Sequence, residues 1–249
     1  MSFYGKKSIS SQYYQTFHPV MNIAIILAGG SGSRMGGDVP KQFLRVGGKM
    51  VIEHTLSVFE SHPQIDEIAV VTRADYIDMV RELVEVGEYR KVRHVLPGGR
   101  ERYDSSLAAL AVYTSDDDIL LFHDAVRPMV THRMITDCLE ALSTYNAVGV
   151  AVPTTDTILR VNEAGCIVEI PPRSELRNAQ TPQGFRRKTI RRAYDLALAD
   201  PAFVTTDDCG VVCKYLPDEP VFVVAGDASN IKVTYPQDLL MLEQKLHSS

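Results

Sequence analysis

Several features that would mark a specialised class of protein are absent from this sequence. No apolar run approaches the roughly 20 residues of a membrane span. The opening stretch, MSFYGKKSISSQYYQTFHPV, has no apolar core of the kind a secretory signal requires. The four cysteines, Cys138, Cys166, Cys209 and Cys213, are too few and too scattered for a disulfide framework. Only Cys209 and Cys213 are close, and no second pair completes a zinc site. They read as reduced thiols of a cytoplasmic protein. Positive charge is not in excess: 26 Lys+Arg against 31 Asp+Glu give a net charge of −5. That balance argues against a nucleic-acid-coating protein and leaves local basic clusters suited to small phosphates. Repeats, low-complexity tracts and Gly/Pro/Ser-rich linkers are missing too. What remains is a chain of 249 residues, 45% hydrophobic, able to bury a large core without disulfide or metal staples.

Met21 stands directly before the first strand-like run, so residues 1–20 read as a flexible extension and 21–249 as a single domain. Asn22 to Ala28, Glu67 to Thr72, Val92 to Leu96 and Asp118 to Phe122 are short apolar runs, read as buried strands. Helical spacing occupies Val51 to Phe59, the stretch capped by Asp75 that runs to about Val86, Ser105 to Tyr113, and the segment opening at Thr131. This alternation implies a mostly parallel, Rossmann-like sheet flanked by helices. The pattern changes after Ala147. Strand-like runs with few helical signals predict an inserted antiparallel β-arm at about 151–170, before helices at Arg187 to Leu198 and Asp207 to Tyr215. A strand at Val221 to Ala225 and a helix from Pro236 close the chain. The arm has too few local partners to cover its own edge, so pairing with a symmetry mate is expected.

The segment LAGGSGSRMGGDVPKQF, Leu27 to Phe43, follows the first strand and combines glycines with Arg34 and Lys41. Glycines let backbone N–H groups approach an anion, and the cations add fixed charge, so the segment reads as a phosphate cradle. Its spacing is neither G-x-G-x-x-G nor the Walker pattern. A nicotinamide-binding reading would need an acid at the end of a second strand, but Glu53 falls inside the expected helix. A non-catalytic phosphosugar-binding protein is a further rival. Other polar clusters also fall at strand ends, where open α/β sheets bind ligands: GGRERYDSS, HDAVRP with Asp124 and Arg127, and GDASNIKVT with Asp227 and Lys232. Singly, each reads as a solvated loop or a cap. Together they place two carboxylates for a hard cation and several cations for phosphates on one edge.

LAGGSGSRMG with PKQF, GG-x-ER-x-x-S, HDAVRP, DT, AQTPQGF, TDD and NIKVT resemble the cytidylyltransferases of sugar-alcohol phosphates, from about Met21 to Leu246. The resemblance implies a nucleotidyltransferase fold, a homodimer, and transfer of CMP from CTP to an alditol phosphate with Mg²⁺ and release of pyrophosphate. It also implies that Arg34, Lys41 and Lys232 surround the triphosphate, and that Ala28, Gly29, Gly30 and Gly32 hold the nucleotide by their backbone. Gly99 and Ser105 would read the cytosine, with Asp124 also against the nucleotide. Asp124 and Asp227 would support Mg²⁺. Arg127, Thr157 and Arg173 would hold the acceptor, Thr157 from the other subunit's arm. Two branches fit, acting on D-ribitol 5-phosphate or on 2-C-methyl-D-erythritol 4-phosphate. Ala28-Gly29-Gly30, and Cys209 followed by Cys213, look more like the ribitol branch, which is the acceptor expected here. Arg100 stands where some relatives carry an acid.

Overall fold

The structure is a computed structural model that describes residues 19–30 and 39–247. Residues 1–18 of the expected extension, and Gly32 and Arg34, lie outside the described residues.

In chain order the strands are β1 (Asn22–Ala28), β2 (Arg45–Val46), β3 (Lys49–Met50), β4 (Glu67–Thr72), β5 (Val92–Pro97), β6 (Ile119–Asp124), β7 (Ala147–Pro153), β8 (Arg160–Val161), β9 (Ile167–Glu169), β10 (Arg177–Arg186) and β11 (Val221–Ala225). The helices are α1 (Val51–Ser61), α2 (Ile77–Val86), α3 (Arg102–Val112), α4 (His132–Ala141), α5 (Arg187–Leu198), α6 (Asp208–Tyr215) and α7 (Pro236–His247). Seven strands make one sheet in the order β11-β7-β10-β6-β1-β4-β5. Neighbours are parallel except that β10 runs antiparallel to both β6 and β7.

Strand periodicity sorts the core into two layers. Ala24, Ile26 and Ala28 of β1 face a cluster with Ile52 and Leu56 of α1, Val80 of α2 and Met134 and Cys138 of α4. Ile23, Ile25 and Leu27 face the opposite cluster, with Ala109 of α3, Ile190 and Tyr194 of α5 and Val211 of α6. Helices therefore cover both faces, as the alternating pattern implies. The hairpin β2–β3 turns through Gly47 and Gly48, both at positive φ (57° and 84°), the geometry a two-residue hairpin loop favours. Val46 of this hairpin packs with Leu242 of α7, Val126 and Val233.

Some boundaries differ from the sequence expectation. Asp75 does not cap α2; it sits in a preceding 3-10 turn and pairs with Arg73 at 2.8 Å. α3 begins at Arg102 because Glu101 and Asp104 cap each other's backbone, the Glu101 N–H donating to Asp104 at 2.8 Å. β10, whose Pro182 interrupts any continuous apolar run, was read only as a motif; its register shifts between Ala179 and Gln183. The arm is shorter in strand than expected: β8 and β9 pair only with each other, between β7 and β10.

Candidate functional site

The carboxyl ends of β1, β5 and β6 open into a cavity of about 750 Å³. Its wall includes Ala28, Gly29 and Gly30 after β1, Gly99 and Ser105 around the start of α3, Asp124 at the end of β6, Lys41, and Lys232 from the last loop. Eight sequence candidates are thus brought together. The close approach explains the glycines: a Cβ on Gly29 would lie 3.3 Å from Ser105 Oγ, and one on Gly98 only 2.6 Å from it.

Gln42 was missed by sequence reasoning. Its Nε2 donates to the carbonyls of Ala28 (2.6 Å) and Gly30 (3.1 Å), bracing the described part of the glycine loop from below. It lies in the PKQF segment, but an amide carries no recognisable phosphate-binding signal. Lys41, read as a loop cation, is 8% exposed, in a 3-10 turn with Gln42 and Phe43. Arg73, Arg100 and Arg102 also line the cavity, so five cationic residues face two carboxylates, Glu101 and Asp124, among the described residues. The first turn of α3 adds the partial positive charge of a helix N-terminus. The cavity is built for a polyanion.

Asp124 is the electrostatic centre. Lys232 Nζ lies 2.8 Å from its carboxylate, Arg127 Nε 3.6 Å and Arg102 Nε 4.0 Å. Burial pushes the Asp124 pKa up, but Lys232, Arg102 and Arg127 outweigh it and hold the carboxyl well below the ordinary range. Its backbone N–H donates to Thr181 Oγ1 at 3.1 Å, and the neighbouring His123 ring lies between Thr181 Oγ1 (2.9 Å) and the Arg127 carbonyl (3.1 Å). Burial pulls His123 down to about 4, so it is neutral at neutral pH and serves as a strut.

Four expected positions lie elsewhere. Arg127 does not line the cavity: its Nη atoms donate to the carbonyls of Asn230 (2.9 Å) and Ala179 (3.3 Å), so it ties loops together behind Asp124. Both terminal nitrogens thus spend a donor on backbone, while the buried Nε makes no hydrogen bond. Asp227 is exposed and outside the cavity wall, its carboxylate accepting from the Ser229 N–H at 2.7 Å. Thr157 and Arg173 are exposed in the arm region and do not line their own chain's cavity; Arg173 Nη1 donates to the Thr155 carbonyl at 2.9 Å.

A mostly parallel sheet with a glycine-rich first turn, whose ligand edge gathers cations around Asp124, is suited to holding a phosphorylated ligand there. The family model described as "IspD: 2-C-methyl-D-erythritol 4-phosphate cytidylyltransferase" matches residues 22–248. The chain belongs to this family of CTP-dependent nucleotidyltransferases. It is 48% identical over 231 residues to a 2-C-methyl-D-erythritol 4-phosphate cytidylyltransferase of Thermobifida fusca, covering 90% of this chain and 93% of that one. It is 42% identical over 230 residues to the bifunctional ribulose 5-phosphate reductase/CDP-ribitol pyrophosphorylase Bcs1 of Haemophilus influenzae, covering 91% of this chain and 48% of that protein. Among solved structures it is similar to 4-diphosphocytidyl-2C-methyl-D-erythritol synthase from Anaerococcus prevotii, with TM-score 0.81, 31% identity, and coverage of 92% of this chain and 96% of that one.

Proposed function

We propose that this cytidylyltransferase acts on 2-C-methyl-D-erythritol 4-phosphate. The reading is supported by the family description and by the name of the 48% identical Thermobifida relative. The ribitol 5-phosphate expected from Gly29, Cys209 and Cys213 remains the second reading. The 42% identical Haemophilus protein, whose name includes CDP-ribitol pyrophosphorylase, favours it.

The observation that carries the catalytic reading is the cationic cavity around Asp124. A phosphate monoester is largely dianionic at neutral pH, with a second pKa of about 6, so the acceptor needs no general base. One of its oxygens attacks the α-phosphorus of CTP, the bond to the β-phosphate oxygen breaks, and pyrophosphate leaves. The obstacle is repulsion between anions. Lys41 and Lys232, with the helix N-terminus, neutralise charge and hold the triphosphate in line, which is catalysis by positioning and electrostatics. Gln42 keeps the glycine loop in shape for its backbone N–H groups, while Gly99 and Ser105 meet the base.

For the Mg²⁺ that the resemblance implies, the residues fit in part. Mg²⁺ is commonly bound through one or two carboxylates plus substrate phosphates. Asp124 lines the cavity and is held ionised, whereas Asp227 is off the wall. Among the described residues no group of three or more His, Cys, Asp or Glu forms a metal cluster. Asp124 would therefore hold the ion together with CTP oxygens, and the ion would draw charge from the phosphates. The arm supports a homodimer in which Thr157 and Arg173 serve a second copy's acceptor site. Ile158, Leu159, Val161, Ile167, Val168 and Ile170 there are each more than 40% exposed, an apolar surface suited to a second arm.

The deciding experiment measures kcat/KM with CTP for the two acceptors in parallel. At least a tenfold preference for methylerythritol phosphate, about 1.4 kcal/mol, is expected. An equal preference for ribitol phosphate would select the second reading. Absence of pyrophosphate release with either would overturn both.

A further inference from the structure

Asp208, in the first turn of α6, is completely buried, yet its carboxylate is connected to the cavity wall. It accepts from Arg102 Nη1 at 2.6 Å, from Ser106 Oγ at 2.7 Å and from the Tyr194 hydroxyl at 2.6 Å. Its backbone is fixed as firmly. Asp207 caps α6 by accepting the Gly210 N–H at 2.8 Å, and Gln183 of β10 donates to Asp207 at 2.7 Å while accepting the amides of Asp208 and Cys209, each at 3.1 Å. The carboxylate is thus pinned from α3, α5, α6 and β10.

Arg102 hangs between two acids. Its Nη1 is bound to Asp208, which no ligand can reach, while its Nε stays 4.0 Å from Asp124, which lines the cavity. Burial alone would pull the Arg102 pKa down; Asp208 first, then Asp124, more than reverse this and raise it. A guanidinium beside a lone carboxylate closes into a two-pronged pair. Here the stronger bond goes to the carboxylate behind the wall, so the guanidinium does not close onto Asp124, whose nearer partner is Lys232. Stability does not explain the arrangement, because buried ion pairs can often be replaced by apolar residues without loss.

We propose that Asp208 is a positioning residue for cytidylyl transfer, holding the Arg102 guanidinium off Asp124 and aimed at the phosphates. This rests on the cavity being the CTP site.

The test is a double-substitution cycle on the full chain, read by kcat/KM for CTP and by melting temperature. Asp208→Asn keeps the volume and an acceptor for Ser106 and Tyr194 but loses the charge. It should lower kcat/KM about tenfold, the scale of a hydrogen bond to a charged group. Arg102→Gln should lower it as well, and adding Asp208→Asn to Arg102→Gln should cost less than about a further twofold. Multiplying losses would mean that Asp208 acts on the fold and not through Arg102, which overturns the proposal. So would an Asp208→Asn enzyme with wild-type kcat/KM. Should Asp208→Asn not fold, Arg102→Lys decides, since an ammonium keeps the charge but cannot reproduce the planar fork. A tenfold loss is expected, and unchanged kcat/KM refutes the role. If Arg102→Gln lowers CTP turnover and Asp208→Asn does not, positioning fails and the cavity stands. If neither Arg102→Gln nor Lys232→Ala affects CTP kinetics, the cavity assignment itself fails.

Discussion

Replacing Lys232 with alanine separates its ion pair with Asp124 from the catalytic task proposed for it. In the folded chain Nζ lies 2.8 Å from the Asp124 carboxylate. At an effective dielectric of about 20, that contact is worth about 6 kcal/mol in gross Coulomb energy. Most of this is offset by the desolvation of Asp124, whose side chain is 11% exposed, and by solvent screening of Lys232, whose side chain is 41% exposed. Arg127 and Arg102 continue to compensate Asp124 in the variant. A net loss of about 1–2 kcal/mol in folding stability follows, or a fall in melting temperature of about 2–8 °C for a chain of this size. The catalytic loss should be larger. Removing a fixed donor aimed at charge that develops in the transition state costs about 3–4 kcal/mol, a fall in kcat of about 10²–10³-fold. Pyrophosphate release at saturating CTP and acceptor, normalised to folded protein by calorimetry, reads both. A kcat within about threefold of wild type would refute the reasoning, since Lys232 would then be only a strut for Asp124.

Two further outcomes follow from other parts of the molecule. His62 is 1% exposed; its pKa is lowered by burial first, then by His132, with Lys91 adding to the effect. Its Nδ1 accepts the Gln64 N–H at 3.2 Å, a bond that protonation would break. A histidine whose folded pKa lies below its unfolded value of about 6.5 contributes stability above that pH and loses it as pH falls toward the folded value. Melting temperature should therefore decline below about pH 6.5, and His62→Asn should flatten this decline; an unchanged slope would show that His62 does not carry it. For the arm, Ile167→Asp with Ile170→Asp should shift the proposed dimer to monomer in sedimentation and abolish turnover while leaving the melting of the sheet intact. A wild-type protein that is monomeric and fully active would refute the arm's role.

The elements that were legible in the sequence are those whose environment is uniform along their length. β1, β4 and α5 were read to the residue, because continuous burial writes a continuous apolar run and one-sided burial writes a 3.6-residue period. β10 hides because its buried positions include Gln180, Thr181 and Gln183, polar side chains satisfied by partners distant in sequence. The same distance separates what could and could not be read of the site. Lys41, Ser105 and Asp124 stand in motifs at strand ends, where ligand chemistry is anticipated. Arg102 stands in such a motif too, but its decisive partner Asp208 lies 106 residues away, and no local spacing reports it. Arg127 was read from its place three residues from Asp124, whereas its contacts to the carbonyls of Asn230 and Ala179 lie 103 and 52 residues away and leave no local signal.

The place where the arm leaves the sheet has a consequence for how such a protein can diversify. Pro153 at the end of β7 and Arg177 at the start of β10 are register partners, so the insertion begins and ends at one point on the sheet. Lengthening, shortening or replacing what lies between them changes only a closed excursion, with a chain-entropy cost that grows slowly with length. The register of β7 on β10, and of β10 on β6, stays where it is. That junction also lies a few residues from Thr181, whose hydroxyl receives the Asp124 N–H. A new arm can thus bring a new contact toward the rim of the cavity while the sheet edge that lines it is inherited unchanged.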